Sequence, residues 1–275
     1  MRIAFICKRR YTGKDVIEDR FGRLYQLPWH LAARGHAVRA WCLDYRANHG
    51  VSEWDHSGRI GSLWWKSAAG KQVNVIGYPW RLRKEVADFG PDLLMAGSDI
   101  PHAALGSWLA DRLGVGYVLD LYDNFESYGQ ARVPGMRGLL KHAVGRADLV
   151  VAVSDQLRAK VETDYAPVNA IHVMPNAVDR QIFAPGDREA ARRILKLPQG
   201  ACLIGTAGGL SAMKGVGLIY EAWPRIAEEC PSAHLVLAGP IEPSLPIPDG
   251  PRVHYLGELP SSSVAELFRA LDVGI

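Results

Sequence analysis

Short apolar runs alternate with segments of helical period along nearly the whole chain, and this alternation limits the fold more than any other feature. The chain opens on the apolar run Arg2–Cys7, continues into a helical pattern over 21–34, and returns to an apolar run at 37–43. Strands joined through a helix lie parallel, so this unit predicts a parallel sheet. The alternation continues to residue 174 and resumes after 188. We therefore expect an α/β protein with doubly wound sheets and helices on both faces.

Several connections are predicted from polar composition and local pattern. The segments 8–19 and 44–57 are polar and are predicted to be loops. Short apolar runs at 60–65 and 73–78 are predicted to be strands. Ser261 precedes an apolar stripe of helical spacing, so it is expected to be the N-cap of that helix.

The segment Pro175–Asp179 interrupts the alternation, and a loop composition continues to Pro185. A chain of 275 residues is long enough for two domains. We place the boundary here and predict an N-terminal domain at 1–180 and a second at 181–275.

Bulk composition excludes several classes of protein. The net charge is only +3, with 48% hydrophobic and 22% charged residues, and no nucleic-acid-binding module is recognisable. The four cysteines are far apart with no CxxC pair, which favours free thiols in a reducing compartment over a metal site. The first apolar run is too short for a secretion signal, and no run approaches the roughly 20 residues of a membrane span. We expect a cytoplasmic protein.

The glycine-rich stretch Gly205–Gly215 lies between the apolar run 201–204 and a helical pattern. A strand, a turn and a helix N-terminus in this order direct backbone N–H groups and the positive end of a helix dipole at one point, which favours an anion such as phosphate. Gly208 and Gly209 would let the ligand approach the backbone, and Lys214 would add a full charge. The alternative is a surface lysine beside ordinary turn glycines.

Five segments resemble the GT-B glycosyltransferases, and specifically the large retaining family 4. They match that family's GHxV strand entry, AD-strand-Ser segment, PNGVD interdomain loop, GRLxxxKG donor loop and the strand and glycine that follow. The segments are Leu31–Val38, Ala147–Ser154, Pro175–Asp179, Gly208–Gly215 and Leu235–Gly239. They occur in the family's order and span nearly the whole chain. The resemblance implies two Rossmann-like domains, with an acceptor bound by 1–180 and a nucleotide-sugar donor bound by 181–275 without a metal or other cofactor.

The resemblance also implies donor-binding residues in both domains. They are Lys214, Gly208, Gly209, Gly22 and Arg23. Gly209 stands where the family usually has an arginine, which leaves one expected cation absent. Arg23 has an equal alternative as a solvated helix residue.

The resemblance places the chemistry and the acceptor after two strands of the first domain. Ser98 and Asp99 match positions where many relatives have a histidine and an acidic residue, and Asp123 follows the next strand. Asp99 has an even alternative as the cap of the following helix. His102 would more often be a cap or surface group. The implied catalytic residues are Ser98, Asp99 and Asp123, and the implied acceptor ligands are Tyr122, Asn124 and His102.

The family's later acidic pair, written E-x7-E, is absent, and the sequence stops at the start of a strand. We therefore expect a partial donor domain and a fragment or truncated enzyme with little activity alone. The alternative is a non-catalytic carbohydrate- or nucleotide-binding module or partner subunit. A nucleotide-dependent oxidoreductase is disfavoured because no GxGxxG follows Arg2–Cys7.

Aromatic residues and cations are interleaved at Trp64–Lys66 and Tyr78–Lys84. This composition suits peripheral contact with the inner face of a membrane, and a lipid-linked acceptor would agree with it. The alternative, which we favour at this point, is that these tryptophans belong to the core or line a cleft.

Overall fold

The computed structural model describes residues 1–11, 13–46, 50–57, 61–70 and 77–275. Its contacts divide the chain into two compact units, Met1–Asn176 (unit 1) and Ala177–Ile275 (unit 2). The sequence predicts the boundary after residue 180. The assignment of acceptor binding to one domain and donor binding to the other stays a prediction.

Unit 1 is built on one large sheet. Its strands are β1 (Arg2–Lys8), β4 (Ala37–Asp44), β5 (Val51–Asp55), β6 (Ser62–Ala69), β7 (Leu93–Gly97), β8 (Gly116–Leu121), β9 (Leu149–Ala152) and β10 (Ile171–Val173), and a separate hairpin is formed by β2 (Arg10–Tyr11) and β3 (Lys14–Asp15). The order across the sheet is β10-β9-β8-β7-β1-β4-β6-β5, and only β5 runs antiparallel to its neighbour. β1 lies at the centre with Ile3–Cys7 buried, as expected for a parallel strand covered on both faces.

Helices cover both faces of this sheet. They are α1 (Gly22–Ala33), α2 (Tyr78–Phe89), α3 (Ile100–Leu113), α4 (Met136–Arg146) and α5 (Asp155–Tyr165). α1 packs on β4 and β6, while α2, α3, α4 and α5 contact one another in sequence. α2 shows the pattern that positions them: Tyr78, Leu82, Val86 and Phe89 form one buried stripe, and Gly90 ends the helix with a φ of +61°.

Two predicted loops contain strands. The segment 8–19 includes the hairpin, and 44–57 includes β5, so both predictions are wrong in part. One local and one long-range ion pair fix the hairpin: Arg9 Nε lies 2.8 Å from a carboxylate oxygen of the buried Asp15, and Arg10 Nε lies 3.3 Å from one of the distant Asp44. A polar segment with such partners can be ordered without an apolar pattern.

The predicted strand at 60–65 is observed as β6, although residue 60 lies outside the described residues. Of the predicted strand at 73–78, residues 73–76 also lie outside them, and Tyr78 instead begins α2.

Unit 2 contains a smaller sheet and three α-helices. Its elements are α6 (Arg188–Ile194), β11 (Cys202–Ala207), α7 (Val216–Glu229), β12 (Ala233–Ala238), β13 (Val253–Tyr255), α8 (Ser261–Ala270) and β14 (Val273–Gly274). The four strands are parallel and lie in the order β13-β12-β11-β14. Apolar residues cluster on each face of the sheet, for example Leu203 with Leu267 on one side and Leu235 with Trp223 on the other.

The structure differs from the sequence prediction at the N-terminus of α8. Pro260 is its N-cap and Ser261 its first helical residue, with no side-chain capping bond, so the predicted Ser261 cap is wrong. After the helix, the Asp272 carboxylate accepts hydrogen bonds from Arg192 Nη2 at 2.6 Å and Leu203 N at 2.8 Å. These bonds hold β14 beside β11.

Candidate active site

The strand order of unit 1 reverses between β1 and β7, and open α/β sheets bind ligands at the carboxyl ends of the strands at such a point. Lys8 ends β1, and Ser98 and Asp99 directly follow β7. The two strand ends are joined there, because Lys8 N donates a hydrogen bond to Ser98 Oγ at 2.9 Å. The predicted residues Ser98 and Asp99 therefore lie at the switch point.

Ser98 is held in an unusual backbone conformation. Its φ is +108°, a region that costs about 1–3 kcal/mol for a residue with a side chain, and it is fully buried. The strain is held in place by two hydrogen bonds, from Lys8 N to its hydroxyl and from Tyr122 Oη to its carbonyl oxygen at 3.1 Å. Such strain occurs at functional sites, and the catalytic role of Ser98 stays a prediction.

Asp99 caps α3, which confirms the capping alternative. Its Oδ1 accepts a hydrogen bond from His102 N at 3.0 Å and lies 2.6 Å from His102 Nδ1, while its Oδ2 accepts from Tyr45 Oη at 3.1 Å. Burial acts to raise the pKa of Asp99, but His102 and then Lys8 outweigh it and hold the pKa below its usual value. The carboxylate thus stays charged in a nearly dry setting, as a group that accepts a proton from a hydroxyl must.

His102 is buried with 3% of its surface exposed, so the expectation of a surface group is wrong. Its ring faces Asp99 and Tyr45. An acceptor contact by His102 stays a prediction, and in the structure it acts on Asp99.

Lys8 brings a cation to this edge that sequence reasoning missed. Its Nζ lies 4.8 Å from the ring centre of Tyr128 and 5.7 Å from that of Tyr11. Burial lowers the pKa of Lys8, and the nearby carboxylates of Asp99 and Asp123 oppose that shift. The sequence offered one indication of this cation, because Lys8 directly follows the apolar run of the first strand.

The loop after β8 supplies a second carboxylate. Asp123 Oδ2 accepts a hydrogen bond from Tyr128 Oη at 2.9 Å, and its Oδ1 accepts from Asn124 N at 2.7 Å. The Asn124 side chain caps a short 3₁₀ turn by accepting from Glu126 N at 3.1 Å. Tyr122 is buried, so only Asp123 and Asn124 of the three predicted residues are partly open to a ligand.

Arg23 is neither solvated nor free at its tip, so the alternative of a solvated helix residue is wrong. Its side chain is 9% exposed, and its guanidinium donates to both oxygens of the fully buried Asp120, with the shortest contact at 2.7 Å. It also donates to the carbonyl of Met174. Burial raises the pKa of Asp120, and the Arg23 hydrogen bonds oppose this. Donor binding by Arg23 and Gly22 stays a prediction.

In unit 2 the strand order reverses between β11 and β14, and the glycine-rich loop follows β11 at that point. Gly208 and Gly209 are exposed, with open space around both α-carbons. The loop is attached to the chain after β12, because Gly208 N donates to Ala238 O at 2.9 Å. Gly239 packs so closely that a Cβ there would lie 1.8 Å from Gly208 O.

Lys214 is exposed at the end of a 3₁₀ turn, Ala212–Lys214, and α7 begins after it with Gly215 at a φ of +75°. The predicted free N–H groups are partly used: Ala212 N donates to a carboxylate oxygen of Glu242 at 2.9 Å. The N–H groups at this turn therefore already hold one anionic group, and that hydrogen bond lowers the pKa of Glu242.

Two kinds of feature are not found in the described part of the chain. No three His, Cys, Asp or Glu side chains in that part lie together as metal ligands would. No helix in it is long and apolar enough to cross a membrane. Independence from metal stays a prediction.

Comparisons with known proteins agree with this geometry. The model of Glycosyltransferase Family 4 matches residues 23–182. D-inositol 3-phosphate glycosyltransferase of Stackebrandtia nassauensis is 32% identical over 143 residues, 46% of this chain and 32% of that protein. The enzyme of the same name from Mycobacterium tuberculosis strain F11 is 30% identical over 146 residues, 48% of this chain and 30% of that protein. The matches thus span about a third of the relatives' length.

Solved structures resemble the whole chain at low identity. Sucrose-phosphate synthase from Thermosynechococcus elongatus superposes with a TM-score of 0.69 at 18% identity, covering 99% of this chain and 74% of that one. Anabaena HepE in complex with UDP gives 0.67 at 16% identity, covering 100% and 73%. These likenesses show the fold, and the family model covers more than half of the chain. The chain belongs to glycosyltransferase family 4 and has the GT-B fold of two Rossmann-like units.

Proposed function

We propose that the protein takes part in moving a sugar from a nucleotide-sugar donor to a hydroxyl acceptor with retention of configuration. The observation that carries the proposal is the loop after β11, where exposed Gly208, Gly209 and Lys214 surround the strand-order switch of unit 2. Backbone donors and a cation at a helix start stabilise the charge that develops on a diphosphate leaving group.

The donor proposed is a uridine diphosphate sugar. HepE of Anabaena, which shares the fold, was solved with UDP and with UDP-glucose. In this chain Lys214 and the exposed backbone of Gly209 would bind the diphosphate, while Gly208, whose N–H already donates to Ala238 O, would allow its close approach. Gly209, without the side chain of the family's arginine, leaves Lys214 as the cation proposed for this loop.

The acceptor proposed is a polyhydroxylated molecule, either a glycan, a lipid-linked sugar or a small molecule. Asp99 and Asp123 would accept hydrogen bonds from its hydroxyls, and the ammonium of Lys8 would donate one. All three groups stand at the carboxyl edge of the unit 1 sheet, and charged Asp99 agrees with a role in orienting or deprotonating the attacking hydroxyl.

A non-catalytic binding module is the second candidate, and one observation favours it. Both oxygens of Asp99 already have protein partners in His102 and Tyr45, as a purely capping carboxylate would. A module of this kind would bind the nucleotide and the glycan without transfer.

The location proposed is the cytoplasm, with peripheral contact at the inner face of a membrane. The free cysteines support a reducing compartment. Exposed Trp80 beside cations supports membrane contact. Nucleic acid is not proposed as a partner, because the net charge is only +3.

The proposal is tested by titrating the protein with UDP, GDP and ADP in a calorimeter, and by following UDP release from UDP-sugars with sugar acceptors. Saturable binding of UDP is expected, and release that depends on acceptor separates the enzyme from the binding module. If none of the three nucleotides binds, the donor assignment is wrong.

A further inference from the structure

Trp80 stands out on the surface of unit 1 because it is large, apolar and 55% exposed. It is nonetheless held firmly. Its ring packs edge-on against Trp108 of α3 at 5.0 Å between ring centres, and Arg112 lies about equally far from both rings, at 6.0 and 5.8 Å. Trp80 and Trp108 together form a contiguous aromatic feature at the surface, and such patches mark interaction sites.

Trp80 forms one wall of an open groove between α2 and α3. The groove has a volume of about 390 Å³, and its walls are apolar. They are formed by Pro79, Trp80, Ala104, Leu105 and Trp108. Trp80 is the third residue of α2, whereas Trp108 lies in the second half of α3 and Arg112 in its last turn.

Three exposed cations are associated with the two tryptophans, one through its distance to both rings and two through their place on the Trp80 face of α2. On α2, Arg83 and Lys84 stand three and four residues after Trp80, so all three share one helix face, and all are exposed. The buried stripe of α2 points the other way, into the sheet. In the described part of the chain Arg83, Lys84 and Arg112 form no ion pair, although Asp88 of α2 is also exposed. The charge of this face is thus positive and available.

We propose that Trp80, Trp108, Arg83, Lys84 and Arg112 form a docking surface for an anionic phospholipid membrane. Tryptophan at the level of the headgroups, with Lys or Arg beside it, is the arrangement that peripheral membrane surfaces use. The cations match the negative charge of the lipid, and the apolar groove accepts the upper part of acyl chains. Docking through this face would hold the protein at the membrane surface, where a lipid-linked sugar would be found.

The inference rests on the membrane contact included in the proposed function, but it does not depend on donor binding. The full chain is sedimented with vesicles of phosphatidylcholine alone and with vesicles containing about 30% phosphatidylglycerol. Binding to the anionic vesicles only is expected. Trp80→Ala should weaken it about tenfold, and Arg83→Glu about tenfold or more, because one cation becomes an anion.

Matched controls lie in unit 2. Arg225→Glu makes the same charge change on the exposed face of α7, and Phe268→Ala removes a half-exposed aromatic from α8. Both should bind vesicles as the unchanged protein does. UDP binding, measured on the same preparations, should be unaffected in all four variants, so folding and the donor site are checked separately from docking.

Three outcomes overturn the inference. They are equal binding to both kinds of vesicle, no binding to either, and an Arg83→Glu protein that binds as well as Arg225→Glu. The protein could also fail to bind vesicles, form a dimer in sedimentation equilibrium and lose that dimer on Trp80→Ala. This result would show that the face binds a second copy of the chain instead of a membrane. Loss of UDP binding with intact docking would overturn the proposed function and leave the docking surface standing.

Discussion

The ion pair between Arg23 and Asp120 is expected to stabilise unit 1 strongly, and Arg23→Met tests this. Asp120 is fully buried at the end of β8, and Arg23 contacts both of its oxygens at 2.7 to 3.1 Å. Methionine keeps most of the side-chain volume while removing the charge and the donors. The variant leaves a buried carboxylate without its cation and frees the carbonyl of Met174.

Removal of one partner of a buried pair costs about 3–5 kcal/mol of unfolding free energy. This is a large part of the 5–15 kcal/mol by which a typical domain is stable. Replacing Asp120 by asparagine in the same background removes the stranded charge, so the double variant should be more stable than Arg23→Met alone. We expect a coupling of about 2 kcal/mol or more in the cycle.

The deficit of Arg23→Met should also depend on pH. Burial raises the pKa of Asp120 and Arg23 opposes that, so the variant raises it further. A carboxylate whose folded-state pKa exceeds the ordinary value of 3.8 binds protons more readily when folded. Stability is then lost as pH rises through the folded pKa and regained on acidification. The gap between variant and unchanged protein should therefore narrow from pH 8 to pH 5.

Urea denaturation followed by tryptophan fluorescence measures this in unit 1, which holds every tryptophan except Trp223. Arg225→Met is the matched control, because its pair with Glu229 is exposed and should contribute about 0.5 kcal/mol or less. A cost for Arg23→Met no larger than that of the control, or a gap that widens at low pH, would refute the buried-pair reasoning.

Three further predictions concern the two strand-order switches. Asp99→Asn keeps the helix cap and should be about 1 kcal/mol more stable to urea than Asp99→Ala. It should also lower the rate of sugar transfer to a hydroxyl acceptor, and an unchanged transfer rate would mean that Asp99 acts only as a helix cap. Gly239→Ala should lower the free energy of unfolding by about 2–3 kcal/mol or more and abolish UDP binding, because the new methyl overlaps a backbone oxygen. The control Gly200→Ala lies in open space and should change stability by about 0.5 kcal/mol or less. Equal effects of the two variants would contradict the close packing of Gly239. Gly209→Arg should tighten UDP binding about fivefold in calorimetry, since the position is open and the added cation faces the loop; unchanged affinity would argue against a diphosphate there.

The repeating pattern of strands and helices was predictable because each element is a local apolar pattern. The parallel strands β1, β7, β8 and β9 are buried on both faces and read as short apolar runs, and the helices carry stripes such as that of α2. The hairpin was missed because its order depends on an ion pair with a distant residue, and β5 was missed because its segment is polar and mostly exposed. Asp44, for example, lies more than thirty residues from the arginine it pairs with.

The sequence indicated where the residues of the candidate site lie, but not their burial or their hydrogen-bond partners. The family resemblance pointed to Ser98 and Asp99, and the glycine-rich pattern between a strand and a helix identified the loop before Lys214. Their surroundings come from packing between separate segments, which no local pattern reports. Lys8 Nζ lies 4.8 Å from the ring centre of Tyr128 only because the end of β1 meets the loop after β8, and Arg23 is buried against Asp120, which lies 97 residues further along the chain.

UDP binding by Lys214→Ala tests the central claim most directly. Lys214 is exposed in the unit 2 loop, and loss of a charged donor to a diphosphate should weaken UDP binding about tenfold. Lys196→Ala is the matched control, because it removes an exposed lysine of the same unit outside the loop. Calorimetry should show weaker binding for Lys214→Ala and unchanged binding for Lys196→Ala. Equal UDP affinity in both variants and the unchanged protein would contradict the assignment of this loop to the donor diphosphate.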